Sequence, residues 1–183
     1  MTRTARAVTS SLPDPATSRA VIIGSSAYRY LDQLPAVEAN LRDLAGALRD
    51  PLLWGLPEQH CTIVANPADA SAMLDPVRQA GGEATDTLIV YFAGHGLRDA
   101  DSADLYLALG SSRENVGYSA VAYDHIRAEV RAAGAARKIV VLDCCFSGRA
   151  ARTLGGSEAL AAQAAVDGAY VLTASPPSRV ALS

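Results

Sequence analysis

Two apolar runs, Thr87 to Ala93 (TLIVYFA) and Lys138 to Asp143 (KIVVLD), leave this chain few ways to fold. A strand with one wet face alternates apolar and polar residues. Runs that stay apolar through Val, Ile and Leu are covered on both faces, as in a parallel sheet sandwiched by helices. Arg19 to Gly24 (RAVIIG), Cys61 to Ala65 and Ala169 to Ala174 read as three more strands, and Leu105 to Leu109 as a short strand or hairpin arm. Helical patterns lie between them. Val37, Leu41, Leu44, Ala45 and Leu48 recur at helical spacing, with Glu38, Arg42, Asp43 and Arg49 between them, and Pro51 stops the run. Asp69 to Ala80 is a weaker helical stretch that Pro76 is expected to interrupt or restart. Asp124 to Ala133 predicts a helix with Asp124 near its N-cap. Alternating strands and helices predict an α/β fold with a parallel, doubly wound sheet.

The 183 residues suit one domain. Half are hydrophobic and 19% charged, which excludes wholesale disorder, and a net charge of −3 offers no basic field for nucleic acid. The apolar runs reach about eight residues, far short of the roughly 18 of a membrane span, so no membrane partner is expected. Cys61, Cys144 and Cys145 cannot all pair with one another, and no Cys/His spacing resembles a zinc site. A reducing, cytoplasmic setting is expected, with no cofactor and no metal; Asp99, Asp101 and Asp104 read as surface charge after a loop. Met1 to Ser18, without an apolar core of its own, is expected to be a flexible leader, and residues 19–183 the folded domain.

The chemistry is expected where strands end, because loops beyond the carboxyl edge of an open α/β sheet gather on one side. The third strand delivers His95 between Gly94 and Gly96, and the fourth delivers Cys145. If those strands are parallel neighbours, imidazole and thiol meet as base and nucleophile. Cysteine needs that base, since only a few per cent of it is thiolate near pH 7. The backbone N–H groups of Gly96 and Cys145 would form an oxyanion hole. Residues two apart on a strand share a face, so Asp143 accompanies Cys145, while Cys144 follows Leu142 toward the core. Asp143 would then form an ionic pocket for a basic substrate residue. Gly24-Ser25-Ser26 lacks a full phosphate-binding motif, His60 and His125 read as packing or surface histidines, and a vicinal Cys144–Cys145 redox switch would be strained.

Tyr91-Phe92-Ala93-Gly94-His95-Gly96 and Leu142-Asp143-Cys144-Cys145-Phe146-Ser147-Gly148 closely resemble the His-Gly and Asp-x-Cys-x-Ser-Gly motifs of bacterial caspase-like proteases and metacaspases. The resemblance extends from Arg19 through the Leu34 to Leu48 helix and Leu105-Tyr106-Leu107 to the Tyr170 to Ser175 strand. The 50-residue separation of His95 and Cys145 is also similar to that of caspases. The resemblance implies a three-layer α/β/α sandwich and a cysteine endopeptidase acting through a thioester, with protein or peptide as substrate. Members with an acid at the place of Asp143 cut after Arg or Lys, and Asp43 resembles a second acidic pocket residue. Phe146 stands where eukaryotic metacaspases carry His, which implies the bacterial branch. Family members continue past the last strand, so a missing C-terminal portion, equivalent to most of a small subunit, is expected, with that segment or a regulatory partner completing the fold. Arg149 to Asp167 falls where relatives carry a cleavable linker, and Arg149 and Arg152 raise the expectation of self-cleavage. The competing expectation is an inert caspase-like module that binds partners.

Overall fold

The computed structural model describes residues 12–98, 104–144, 146–147 and 164–173. The elements run β1 (Arg19–Gly24), α1 (Ala36–Arg49), β2 (Cys61–Ala65), α2 (Ala70–Glu83), β3 (Thr87–Ala93), β4 (Gly96–Arg98), β5 (Leu105–Leu107), β6 (Val121–Ala122), α3 (Tyr123–Ala132), β7 (Arg137–Asp143), β8 (Phe146–Ser147) and β9 (Tyr170–Thr173). Five strands form the main sheet in the order β2-β1-β3-β7-β9, all paired in parallel.

Both faces of the central strands β1 and β3 are covered, as the continuous apolar runs require. Val21, Ile23, Leu88, Val90, Phe92, Val140 and Leu142 pack with Met73, Val77, Ile126 and Val130 of α2 and α3. The alternate residues Ala20, Ile22, Tyr91 and Ala93 pack with Val37, Leu41 and Ala45 of α1. The result is an α/β/α sandwich. Val21, Ile22 and Ile23 are each 0% exposed, and burying such a side chain stabilises by about 1.5–3 kcal/mol. Gly24 lets α1 pack closely on the sheet: a Cβ there would lie 2.7 Å from Val37 Cγ1 and 2.8 Å from Leu41 Cδ1.

One expectation is corrected. Pro76 neither interrupts nor restarts α2, which runs unbroken through it from an Asp69 cap whose side chain accepts from Ala72 N–H. Buried Met73, Val77 and Ala80 hold the helix against the core on both sides of the proline, and the freed carbonyl belongs to exposed Ala72. A helix-interior proline costs about 3 kcal/mol, partly offset by about 0.4–1 kcal/mol from its stiffening of the unfolded chain. Pro76→Ala is therefore expected to raise stability by about 2 kcal/mol in urea unfolding, and an unchanged midpoint would contradict this account.

Asp124 lies near the α3 N-cap, as expected: Ala122 is the cap residue, without a side-chain bond, and Asp124 sits in the first turn, paired with Arg127 at 2.8 Å. Pro13 to Ser18 make hydrogen bonds to the rest of the domain. Trp54 Nε1 donates to Pro13 O at 2.8 Å, Asp14 N–H to Asp86 Oδ2 at 2.6 Å, and Thr85 N–H to Thr17 O at 3.0 Å. These residues are tied to the body of the domain.

A second, small sheet has no counterpart in the sequence reading beyond Leu105 to Leu107. Its order is β6-β5-β4-β8, with β4 antiparallel to β5 and parallel to β8. It stands directly beyond the carboxyl ends of β3 and β7, because β4 begins three residues after β3 ends and β8 three after β7.

Candidate active site

The site is built on the ladder between β3 and β7. Ala93 pairs with Asp143, so the two strands finish level. Beyond them the chains pair again in parallel, Gly96 with Phe146 and Leu97 with Ser147. The offset is 50 residues in both ladders, the same as the separation of His95 and Cys145. Cys145 itself lies outside the described residues, as do Asp99, Asp101, Arg149 and Arg152.

His95 is half-buried and held from three directions. Its backbone N–H donates to Tyr28 Oη at 2.9 Å, and the Tyr28 ring lies 4.8 Å from the imidazole between centroids, tilted by 58°. Its Nε2 is 2.9 Å from the carbonyl oxygen of Asp32. A carbonyl can only accept, so Nε2 carries a hydrogen in this arrangement, and in the neutral imidazole Nδ1 is the nitrogen with the lone pair. Burial raises the Tyr28 phenol above its ordinary pKa, against the opposing effect of the His95 N–H, and the hydroxyl stays neutral.

Gly94 permits this packing. A Cβ there would meet Tyr28 Oη at 2.7 Å and Phe92 Cζ at 2.9 Å. Gly96 enters β4, where it is the ladder neighbour of Leu107 on one side and Phe146 on the other.

His95 and Asp143 line one cavity of about 390 Å³, together with Leu34, Pro35, Val37, Asn40 and Cys144. Its lining mixes apolar side chains with the polar groups of Gln33, Asn40, His95 and Asp143. Asp143 is half-buried at the end of β7, and its Oδ2 accepts from Tyr91 Oη at 2.7 Å and from Asn40 Nδ2 at 3.5 Å. Burial, then the bond to Asp143 and its negative charge, push the Tyr91 phenol far up. Cys144 is 4% exposed and belongs to the α2/α3 side of the core with Leu142. Asp43 is exposed on α1 and does not line the cavity; Asn40, one helical turn earlier, does.

Four participants escaped the sequence reading: Tyr28, the Asp32 carbonyl, Asn40 and Tyr91. Strand alternation could have found Tyr91, two residues before Ala93 on the face that Asp143 shares. Asp32 contributes backbone, for which no residue pattern exists.

A caspase-domain family profile matches residues 17–178. The chain belongs to the caspase-domain family. Membership supports a cysteine-peptidase type of function for this caspase domain. A search of curated proteins finds no match. Among solved structures, protein GSU0716 from Geobacter sulfurreducens is similar, with a TM-score of 0.56 and 20% identity. The alignment covers 73% of this chain and 52% of that protein, so the chain spans about half the length of its structural relative. At that identity the likeness is one of fold. Among the described residues, no helix is long and apolar enough to cross a membrane, and no group of three or more His, Cys, Asp or Glu is placed to hold a metal ion.

Proposed function

We propose that this caspase domain is a cysteine endopeptidase that cuts peptide bonds after Arg or Lys through a His95–Cys145 dyad. The observation that carries the proposal is the shared offset: parallel ladders on both sides of the dyad pair residues 50 apart, which is also the interval from His95 to Cys145. Chemistry supplies the rest. With Nε2–H donated to the Asp32 carbonyl, Nδ1 is the basic nitrogen that takes the thiol proton. The thiolate attacks the substrate carbonyl, and the N–H groups of Gly96 and Cys145 hold the oxyanion. The imidazolium then returns its proton to the leaving amine as the C–N bond breaks, leaving a thioester. Water, deprotonated by the same imidazole, hydrolyses the thioester and restores the thiol.

Asp143 is the specificity group. A carboxylate lining a cavity attracts guanidinium or ammonium and repels an acidic side chain. The substrates in this reading are proteins or peptides with exposed basic residues, the enzyme works in the cytoplasm, and self-cleavage at Arg149 or Arg152 follows from the same preference.

Covalent labelling tests the whole proposal. A peptide ending in an Arg chloromethyl ketone is expected to modify Cys145, located by tandem mass spectrometry, and an Asp-terminated analogue is not. Labelling of Cys144 or Cys61 alone would overturn the dyad. Absence of labelling would favour the inert binding module.

A further inference from the structure

The cavity wall holds one contact that peptide hydrolysis does not itself require: the Tyr91 hydroxyl on the Asp143 carboxylate. We propose that Tyr91 is the positioning residue of the specificity pocket, pinning Asp143 Oδ2 so that Oδ1 is the oxygen offered to a basic side chain. This rests on the reading of Asp143 as the specificity group and adds how that group is held.

The geometry argues for it in three steps. The Tyr91 ring is buried in the α1-side core with Ile22, Val37 and Leu41, on a strand paired on both sides, so its hydroxyl is presented by a rigid body. A phenol has one hydrogen to donate, and Tyr91 places it on Oδ2 at 2.7 Å, the length of a strong charge-assisted bond. Asn40 adds a second, longer approach to the same oxygen at 3.5 Å. A carboxylate offers roughly four lone-pair sites, so two donors on Oδ2 leave the lone pairs of Oδ1 for an incoming cation.

Without the phenol, little would fix the carboxylate plane. Rotation of an aspartate about its terminal torsion is broad and roughly two-fold, and Asp143 is only half-buried. The loss would appear in binding of the basic side chain and not in the bond-breaking steps at His95. A purely structural tyrosine would behave differently, since its loss would lower stability and touch binding no more than turnover.

The test compares Tyr91→Phe, Asp143→Asn and the double variant in the full chain. Two readouts are used: steady-state turnover of a fluorogenic Arg peptide, and binding of agmatine, a guanidinium that needs no catalysis, followed by NMR titration. Tyr91→Phe keeps the ring and is expected to melt near the parent temperature. It should raise the KM and the agmatine Kd by about 5- to 20-fold, the range for a hydrogen bond to a charged group, with kcat within about twofold. Asp143→Asn should raise both constants further, and adding Tyr91→Phe to it should change neither. Asn40→Ala, a change at an exposed residue, should raise both about twofold.

If Asp143→Asn weakens binding while Tyr91→Phe leaves KM and Kd unchanged, or if the two effects simply add, the positioning role is wrong and the specificity pocket stands. If Asp143→Asn also leaves both constants unchanged, the pocket reading itself fails and the role of Tyr91 with it.

Discussion

Cys145→Ala is expected to abolish hydrolysis of a fluorogenic Arg peptide, a loss of roughly 10⁴-fold or more, because the acyl group then has no sulfur to transfer to. His95→Ala should lose a comparable amount, since thiol activation and protonation of the leaving amine pass through the same imidazole. Cys144→Ala provides the contrast. Its side chain is 4% exposed among the residues that pack beneath α2 and α3, so truncation costs packing, about 1 kcal/mol, and lowers the rate no more than about tenfold. Steady-state kinetics on the three variants decide the matter. Full turnover by Cys145→Ala, or a loss that follows Cys144, would remove the assignment.

Gly94→Ala is expected to damage the site nearly as severely without touching a reacting atom. The added Cβ would lie 2.7 Å from Tyr28 Oη and 2.9 Å from Phe92 Cζ, distances that demand movement. Neither neighbour can yield easily: Tyr28 is 5% exposed and Phe92 1%. Tyr28 is also the acceptor for the His95 N–H, so whatever displaces it displaces the imidazole. A shift of about 1 Å at a reacting group can cost about 10²-fold in rate, and overpacking costs about 1–3 kcal/mol in stability. Both losses are expected, in kcat and in urea unfolding respectively. Combining Gly94→Ala with Tyr28→Phe removes the hydroxyl that the Cβ strikes, so stability should recover in part. The rate should not, because the His95 N–H has lost its acceptor. A Gly94→Ala protein with parent kcat would show that the packing around His95 is slack.

Much of the main sheet was legible because its central strands β1 and β3 are buried on both faces, which forces an unbroken apolar composition. β1, β2 and β3 fall where Arg19–Gly24, Cys61–Ala65 and Thr87–Ala93 were expected, and β7 begins one residue earlier than Lys138. The small sheet was not legible. Its strands β4, β6 and β8 are two or three residues long, too short to express a period, and β4 and β8 form because β3 and β7 hold their successors side by side. Pro76 misled for a related reason: local propensity opposed a continuous helix, and burial of Met73, Val77 and Ala80 outweighed it.

The same division runs through the site. His95 and Asp143 could be read from strand ends because chemical residue types there stand out against an apolar run. The surroundings of His95 could not. Tyr28 and Asp32 come from the loop after β1, which has no periodic pattern, and Asp32 acts through a carbonyl that any residue would supply. Asn40 and Asp43 lie on one helix and look equally eligible in the sequence, yet the pitch of α1 against the sheet brings Asn40 to the cavity and leaves Asp43 outside its lining.

By itself, the sequence determined the layered α/β architecture and the strand ends that carry chemistry, since alternation and continuous apolar runs are set by residue type along one strand. Tertiary structure alone decided which strands are neighbours, that β3 and β7 finish level, and that the Tyr91 hydroxyl reaches the Asp143 carboxylate. Those are relations between segments about 50 residues apart, and they depend on the register and packing of two strands together, which no single stretch of chain encodes.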